Sequence, residues 1–577
     1  MQEVISGLIR ILDKKQKAYL ILLFILILVG ACLETLGLSS IIPLITVLMS
    51  PDIVESNEII VKISDVIGIE NGNQLILSMI IAIIVIFIIK SIYMIFLNYL
   101  QYWFIYSGQR KTIVRLMKEF MNKKYEYFLN TNYTYISKVV KQDVVDTYNL
   151  LLNVVKLVTE SIIFVALVVV LAFVDIKMTM VIAILILIIM LCVFLIVEPI
   201  MKKAGNNARE NVLISDKWMY QAFNGIKEVK IEQKEKFFVE KYSFYLKKYV
   251  NSQKVNSVLS GTPTYIIEGV FVAGIMSYLL VMLINGEEIV SLLPQMSAFA
   301  VAAVRLMPSA NRINSYINGI VYYKSLLKDI NVQIKDMDIK REEQEEHSLC
   351  PKMNLVGDIE LKNITFAYEN ADKKVFENAE MVIPFGKTIG IVGASGAGKS
   401  TIVDILLGLF SIQSGQILVN GQSVFENYSA WLKNIGYIPQ VIYFMDDSIR
   451  NNIAYGVDEK DINDTRIWEV LEEAQIAEFV RKLPDGLNTN IGDRGVRISG
   501  GQRQRFGIAR ALYRNPDVLI FDEATSALDY ETEAAIMESV DKFQGEKTMI
   551  IVAHRIETLE MCDIQYRVEN GKIIKEK

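Results

Sequence analysis

Cysteine and histidine are scarce in this chain: its 577 residues hold four of the first and two of the second. Cys32 and Cys192 lie in apolar runs and Cys350 and Cys562 in polar sequence, so neither a disulfide framework nor a zinc-ligand spacing exists. The four read as free thiols of a reducing compartment. An excess of basic charge is also missing. Sixty Lys and Arg stand against 65 Asp and Glu, a net charge of −5, and the isoelectric point near 5.6 excludes the basic surface of a nucleic-acid binder. Composition excludes disorder, collagen-like repeats and disulfide scaffolds. What is abundant is apolar: 52% hydrophobic residues against 22% charged, with mean hydropathy +0.32. That is too apolar for an ordinary soluble enzyme and too charged to lie wholly in lipid, so the two materials must be segregated.

The segregation is visible along the chain. Uncharged runs extend over Ala18 to Leu33, Thr35 to Pro51, Asn71 to Ile89, Ser91 to Gln109, Met178 to Val197 and Gly269 to Gly286. Joined across single charges, and with Leu151 to Val174 and Ile289 to Tyr323 added, they predict six helices near 19–48, 75–107, 148–174, 178–200, 258–284 and 289–323. About 20 apolar residues cross the hydrocarbon, and soluble core helices rarely run longer unbroken. The first run is too long for a signal peptide and lacks a small-residue cleavage site, so it is expected to remain. Arg10, Lys14, Lys15 and Lys17 precede it, and basic clusters follow the second and fourth runs (Arg110 to Lys124, Lys202 to Lys230). By the positive-inside rule the N-terminus and both long loops are cytoplasmic. These loops should be helices projecting past the membrane, with tips at Lys123 to Tyr135 and Ser215 to Glu228. The aromatic cluster Trp218, Tyr220 and Phe223 needs either a partner surface or packing between the loops themselves.

Hydropathy collapses after Tyr323, and Lys340 to His347 reads as a solvated linker. The boundaries expected are therefore 1–325 for the membrane domain, 326–356 for the linker and 357–577 for a second domain. In that domain short β-branched runs (Ile359 to Ile364, Thr388 to Val392, Gln416 to Val419, Val518 to Phe521, Thr548 to Val552) alternate with helical stretches, the pattern of an α/β fold.

Gly393-Ala394-Ser395-Gly396-Ala397-Gly398-Lys399-Ser400 stands between the strand Thr388 to Val392 and the apolar helix Ile402 to Leu409, a P-loop in its proper context. Glycines let backbone N–H groups wrap the phosphates of ATP, the helix N-terminus adds positive potential, Lys399 reaches the β and γ phosphates, and Ser400 can hold Mg²⁺. The apolar strand Val518 to Phe521 ends in Asp522 and Glu523. Asp522 would bind Mg²⁺ through its water shell and Glu523 would orient and deprotonate the attacking water.

Between these elements Ile498-Ser499-Gly500-Gly501-Gln502-Arg503-Gln504-Arg505 resembles the signature of ATP-binding cassette (ABC) proteins. The resemblance covers the whole chain. It implies the half-transporter layout of ABC exporters, a six-helix transmembrane domain with long intracellular extensions followed by an α/β P-loop NTPase nucleotide-binding domain. It further implies that Tyr368 stacks on adenine, that Gln440 links Mg²⁺ to the membrane domain, and that Ser526 to Asp529 form the D-loop. His554 would contact the γ-phosphate, and Thr401, Ser499, Gly501, Gln502 and Asp529 would join the nucleotide site. The P-loop of one subunit would face Ser499 and Gly501 of another, so a homodimer with two active ATP sites is implied, and the tip near Trp218 to Glu228 would dock on the partner's nucleotide domain. Ile498, where leucine is commoner, and Asp493, where glutamate is, are mild departures.

Arg305 and Arg312 lie inside the last apolar run. Seven residues put both on nearly one helix face, roughly 10 Å apart along the axis. A cation at bilayer depth costs about 2.5 to 3.5 kcal/mol on insertion scales, so each should face a cavity or an acid. One reading is an anionic, phosphate-bearing substrate gripped by guanidinium forks. The other is structural: a pair with Glu34 or Glu268, or snorkelling by Arg312. The segments Leu33 to Leu44 and Arg305 to Arg312 resemble the PglK-type branch, whose members flip lipid-linked oligosaccharides, and Asp52 to Asn73 fits that branch's short outer helix. Thr264 after Pro263 departs from it, where a basic residue is expected. The resemblance therefore implies an ATP-driven flippase of a polyprenyl-pyrophosphate glycan or similar anionic amphiphile in the cytoplasmic membrane. A multidrug or lipid exporter is the alternative, and a nucleotide-gated channel or membrane regulator is a third reading.

Overall fold

A computed structural model describes residues 2–49, 72–174, 176–284, 289–323, 351–369, 371, 373–492, 495–524, 543–553 and 562–577. Two compact units result, one made of Met1–Lys123 with Asn130–Arg341, the other of Lys124–Leu129 with Glu342–Lys577.

In the first unit, a short helix α1 (Gln2–Ile11) precedes α2 (Lys14–Met49), and α3 (Gly72–Met121) follows. The short helix α4 (Tyr125–Asn130) falls in the segment Lys124–Leu129 of the second unit except for its last residue, and back in the first unit α5 (Tyr133–Lys138) leads through a π-helical turn at Val139–Asp143 into α6 (Val144–Val174). Then come α7 (Ile176–Asn224), the short α8 (Ile226–Ile231), α9 (Glu235–Ile284) and α10 (Ile289–Tyr323). Each expected span falls inside one of six helices of 31 to 50 residues. Among the described residues four stretches are long and apolar enough to cross a membrane, Lys14–Ile45, Asn73–Met121, Tyr133–Val174 and Glu235–Ile284, while α7 contributes the shorter Ile176–Leu185. The last expected span falls on α10, which Arg305 and Arg312 interrupt.

At about 1.5 Å per residue, a 50-residue helix is some 75 Å long, more than twice the hydrocarbon thickness. The surplus is the projection that the polar second halves of α3 and α7 predict. One tip is displaced from its expected place. Ser215 to Asn224 continue α7, and the turn comes at Gly225 to Lys234, because nothing before Gly225 breaks the helix. Trp218 stacks edge-on against Phe237 and Phe238 at 5.9 and 6.0 Å, and Tyr220 meets Tyr133 at 6.3 Å, so these aromatics pack within the unit. Phe223 stays exposed. The expected outer helix, Asp52 to Asn73, lies outside the described residues except for its last two.

Side chains of Ala31, Ile163, Leu167, Ile267, Phe271 and Leu306 make the apolar centre of this unit. Asp143 is buried at the π-helical turn with Lys138 at 3.3 Å and Arg209 at 3.7 Å. An ion buried there without a partner would be costly, so the pairing fixes how α5, α6 and α7 meet.

The second unit holds two sheets. Strands β1 (Ile359–Phe366), β2 (Phe376–Ile383), β4 (Ser414–Val419) and β5 (Gln422–Ser423) form an antiparallel sheet in the order β2-β1-β4-β5. The larger sheet runs β10-β9-β3-β8-β7-β6, where β3 is Thr388–Val392, β6 Ile435–Ile438, β7 Val518–Asp522, β8 Thr548–Val552, β9 Ile564–Glu569 and β10 Lys572–Lys575. All its neighbours are parallel except β10 on β9. Helices cover both faces of a parallel sheet, which is why Val518 to Asp522 and Thr548 to Val552 are buried throughout and read as unbroken apolar runs. With β3 at the centre, the loop leaving its carboxyl end opens at the crevice where such sheets bind ligands.

Candidate functional site

The P-loop runs from β3 into α11 (Lys399–Leu406). Two glycines are required by the backbone. A Cβ at Gly393 would lie 2.5 Å from the carbonyl oxygen of Val568, and Gly398, at the helix N-cap, has φ +108°. Only without side chains does the chain turn this tightly and leave its N–H groups facing a ligand. Lys399 is buried at 4% exposure, and its ammonium donates to the carbonyls of Gly393 (3.0 Å) and Ala394 (3.3 Å). Glu523 Oε1 stands 3.9 Å away.

The end of β7 faces this loop. Asp522 Oδ1 accepts from the Ser400 hydroxyl at 3.3 Å and Oδ2 from the Tyr437 hydroxyl at 3.2 Å. Burial pushes the Asp522 carboxyl above the usual range, against the opposing pull of these two donors. Asp404, on α11, is pushed up to about 6 by burial, with Asp522 adding to the effect. This is a desolvated group of carboxyls beside one buried ammonium, a site that a cation and a polyphosphate together would balance.

Glu523 has φ +50°, a left-handed backbone uncommon for a side chain of its size, held by its N–H on Val552 O at 3.0 Å. The bend ends β7 and turns the carboxylate toward Gln440, whose Nε2 donates to Oε2 at 2.9 Å. Tyr368 shares a hydrogen bond with Thr401 Oγ1 at 2.8 Å, and its ring meets Phe366 and Phe410 at 5.2 and 5.4 Å, leaving a partly exposed aromatic face at the start of α11. The structure thus brings Tyr368, Lys399, Ser400, Thr401, Gln440, Asp522 and Glu523 around one loop.

Ser499 is placed otherwise. It caps α12 (Gly500–Tyr513) in a reciprocal box, Ser499 Oγ accepting from the Gln502 N–H at 3.3 Å and Gln502 Oε1 from the Ser499 N–H at 2.9 Å. Ser499 and Gly500 are exposed, so this helix start faces outward. Asp529, the rest of the Ser526 to Asp529 segment, His554 and Asp493 lie outside the described residues.

A second group of charges sits in the membrane unit. A cavity of about 480 Å³ is lined from α2, α3, α6 and α10, and Lys90, Lys156, Arg305 and Arg312 face Glu34 and Glu160 there, an excess of two positive charges. Arg305 Nε lies 2.7 Å from Glu34 Oε1 as an ion pair out of hydrogen-bond alignment, and Lys90 donates to the same oxygen at 3.1 Å. Arg312 is held by two bonds to Glu160, Nε to Oε1 at 2.8 Å and Nη2 to Oε2 at 3.2 Å, while Ser309 Oγ donates to Oε2 at 2.7 Å. Of the two acids expected as partners, Glu34 pairs with Arg305; the partner of Arg312 is Glu160, on a helix the expectation did not consider.

Lys90, Lys156 and Glu160 were absent from the sequence-predicted site, yet the sequence marks them. Glu34 and Lys90 are the charges that split the first two pairs of uncharged runs, and Lys156 and Glu160 interrupt the third span. Tyr437 and Asp404 were missed for lack of any motif.

Two family models match, "ABC transporter transmembrane region" over residues 15–300 and "ABC transporter" over residues 376–526. Among curated relatives, the chain is 40% identical over 240 residues to the ATP-dependent lipid A-core flippase of Photobacterium profundum, covering 41% of this chain and 40% of that one. It is 42% identical over 220 residues to the protein of the same description from Escherichia coli K12, covering 38% of each. These matches thus span about two fifths of the relatives' length. The solved structure of a bacterial Atm1-family ABC exporter with ATP bound superposes with TM-score 0.73 at 20% identity, covering 97% of this chain and 95% of that one, a likeness of fold.

Proposed function

The chain belongs to the ABC transporter family, and on that premise we propose that it is one half of an ATP-driven exporter that flips an anionic amphiphile, a polyprenyl-pyrophosphate-linked glycan, across the cytoplasmic membrane. ATP binds at the P-loop. The donor set fits Mg²⁺: the Ser400 hydroxyl and a desolvated Asp522 carboxylate are hard oxygen ligands in contact with each other. When bound, that ion would neutralise charge on the β and γ phosphates. Lys399 holds the phosphates, Glu523 accepts the proton of the attacking water, and Gln440, bonded to Glu523, orients that carboxylate. Tyr368 offers the face for adenine. Asp529 and His554 complete the site as the family pattern has it.

Because Ser499 caps an outward-facing helix start, the reading requires a second chain to supply Ser499, Gly501 and Gln502 to the phosphates, hence a homodimer with two shared sites. The N-terminus and the nucleotide-binding domain lie in the cytoplasm, with domains at 1–325 and 357–577 joined by the linker 326–356. Closure of the dimer on ATP would reorganise the membrane helices, the general course of such alternating-access machines.

The observation that carries the substrate class is the cavity among α2, α3, α6 and α10, with its excess of two positive charges at membrane depth. Cations within apolar spans persist where they are paired or where function uses them. Here the acids answer only half the charge, and a pyrophosphate would answer the rest. A second reading, an exporter of another anionic lipid, is favoured by the relatives described as lipid A-core flippases.

The test is ATP-dependent translocation in proteoliposomes offered each lipid separately. Wild type should flip the lipid-pyrophosphate glycan, Glu523→Gln should abolish flipping, and Lys90→Gln/Lys156→Gln should reduce flipping by tenfold or more with basal ATPase retained. Flipping of lipid A-core alone would move the assignment to the second reading, and flipping unaffected by the lysine changes would remove the cavity from the substrate path.

A further inference from the structure

A different cavity, of about 370 Å³, lies in the membrane unit between α1, the start of α2 and the middle of α6. Leu8, Leu12, Ile21, Phe24, Leu151 and Val155 are among its walls, and every described residue that lines it is apolar. It shares no residue with the charged cavity. The bend that creates it is fixed by a reciprocal cap: Asp13 Oδ1 accepts from the Gln16 N–H at 2.7 Å and Gln16 Oε1 from the Asp13 N–H at 2.9 Å. The sequence of α1 places Val4, Ile5, Leu8, Ile11 and Leu12 on one stripe, the pattern of a helix lying in a membrane interface.

The rim has the opposite chemistry. Arg10, Lys14, Lys15 and Lys17 are all exposed. Spacings of three, four and three residues put Lys14, Lys17, Ile21 and Phe24 on one face of α2, so two ammonium groups stand directly before the apolar opening, Lys17 about 6 Å along the axis from Ile21. The nearest carboxylate in sequence, Asp13, is engaged by the Gln16 N–H.

We propose that this cavity holds one acyl chain of an anionic bilayer phospholipid whose phosphate headgroup lies against Lys14 and Lys17. The volume has room for roughly a dozen groups of about 30 Å³, the space one water takes, and a methylene is of similar size, so the greater part of one chain enters and a second does not. An uncharged apolar molecule would leave the lysines unused, and a zwitterionic lipid would set its own ammonium against them. The anionic lipid satisfies walls and rim together.

The full chain in detergent micelles, titrated with phosphatidylglycerol and phosphatidylcholine of matched chain length, gives the readout by native mass spectrometry. Wild type should retain phosphatidylglycerol several-fold better. Lys14→Gln/Lys17→Gln, at exposed positions, should erase that preference while phosphatidylcholine retention is unchanged, and Lys14→Arg/Lys17→Arg should keep it. Ile21→Trp, at the opening, should lower retention of both lipids. Equal retention by wild type overturns the proposal, as does a preference that survives Lys14→Gln/Lys17→Gln. Retention of both lipids left undiminished by Ile21→Trp puts the lipid elsewhere and overturns it as well.

Discussion

Single side chains in this protein do their work through the partners they hold, which makes their removal specific. Glu160 accepts both bonds of the Arg312 fork and is nearly buried. Arg312→Gln should therefore lower thermal stability more than Arg312→Gln/Glu160→Gln, because the single change takes both guanidinium bonds from a nearly buried carboxylate and leaves it the Ser309 hydroxyl, while the double change removes the charge. Melting of the chain and its three variants in detergent closes the cycle. In the second unit, Asp563 accepts from the Thr388 N–H at 2.9 Å and pairs with Lys387 at 3.2 Å, and the backbone bond leads the causes that hold its carboxyl below the ordinary aspartate value of 3.8. A depressed carboxyl stabilises the fold above that value and ceases to as pH falls through its own lower one. Asp563→Asn should lower the melting temperature at pH 7, and the gap from wild type should close as the pH is taken below 3.8.

Elements were legible in the sequence where periodicity is strong and hidden where tertiary contacts decide. Thr388 to Val392 and Thr548 to Val552 are strands with the expected ends, since strands buried on both faces carry unbroken apolar runs. The small β5, the edge strand β10 and its neighbour β9 carry no such run, and their pairing alone makes them strands. The P-loop was legible because its chemistry dictates its residues. The charged cavity was legible only as two arginines and one candidate acid, Glu34, because Lys90, Lys156 and Glu160 come from two further helices whose register no sequence pattern states. The tip Lys124–Leu129 illustrates the same limit: Lys124 donates to Ser411 Oγ at 3.0 Å, Glu126 accepts from the Ser411 N–H at 3.1 Å, and Tyr125 meets Phe410 at 5.9 Å. Tyr125→Ala/Glu126→Ala should leave basal ATP hydrolysis within about twofold and depress lipid flipping by tenfold or more, measured in the same proteoliposomes. The signature helix gives a second element-scale outcome. Ser499→Ala removes an N-cap, costing about 1 kcal/mol of stability, while Ser499→Asp keeps the cap and adds a negative charge. If the hydroxyl serves a partner's phosphates, Ser499→Asp should be folded and hydrolytically dead.

At the scale of the whole molecule, the proposed sharing of sites between two chains has a consequence that no single chain can show. Chains carrying Lys399→Ala and chains carrying Ser499→Asp should each be inactive alone. Mixed before reconstitution in equal amounts, they should recover roughly a quarter of wild-type hydrolysis, because half of random dimers are mixed and each mixed dimer keeps one intact site. No recovery would show that each chain closes its own site. The left-handed backbone of Glu523 reaches further still. A residue with a bulky side chain at φ +50° carries strain on the order of 1 kcal/mol, which glycine at that position would relieve. Glu523→Gly should thus melt higher than wild type and hydrolyse nothing. Directed evolution of this protein toward heat resistance alone would drift toward that inert sequence, and only a selection that demands turnover in every round would keep the carboxylate.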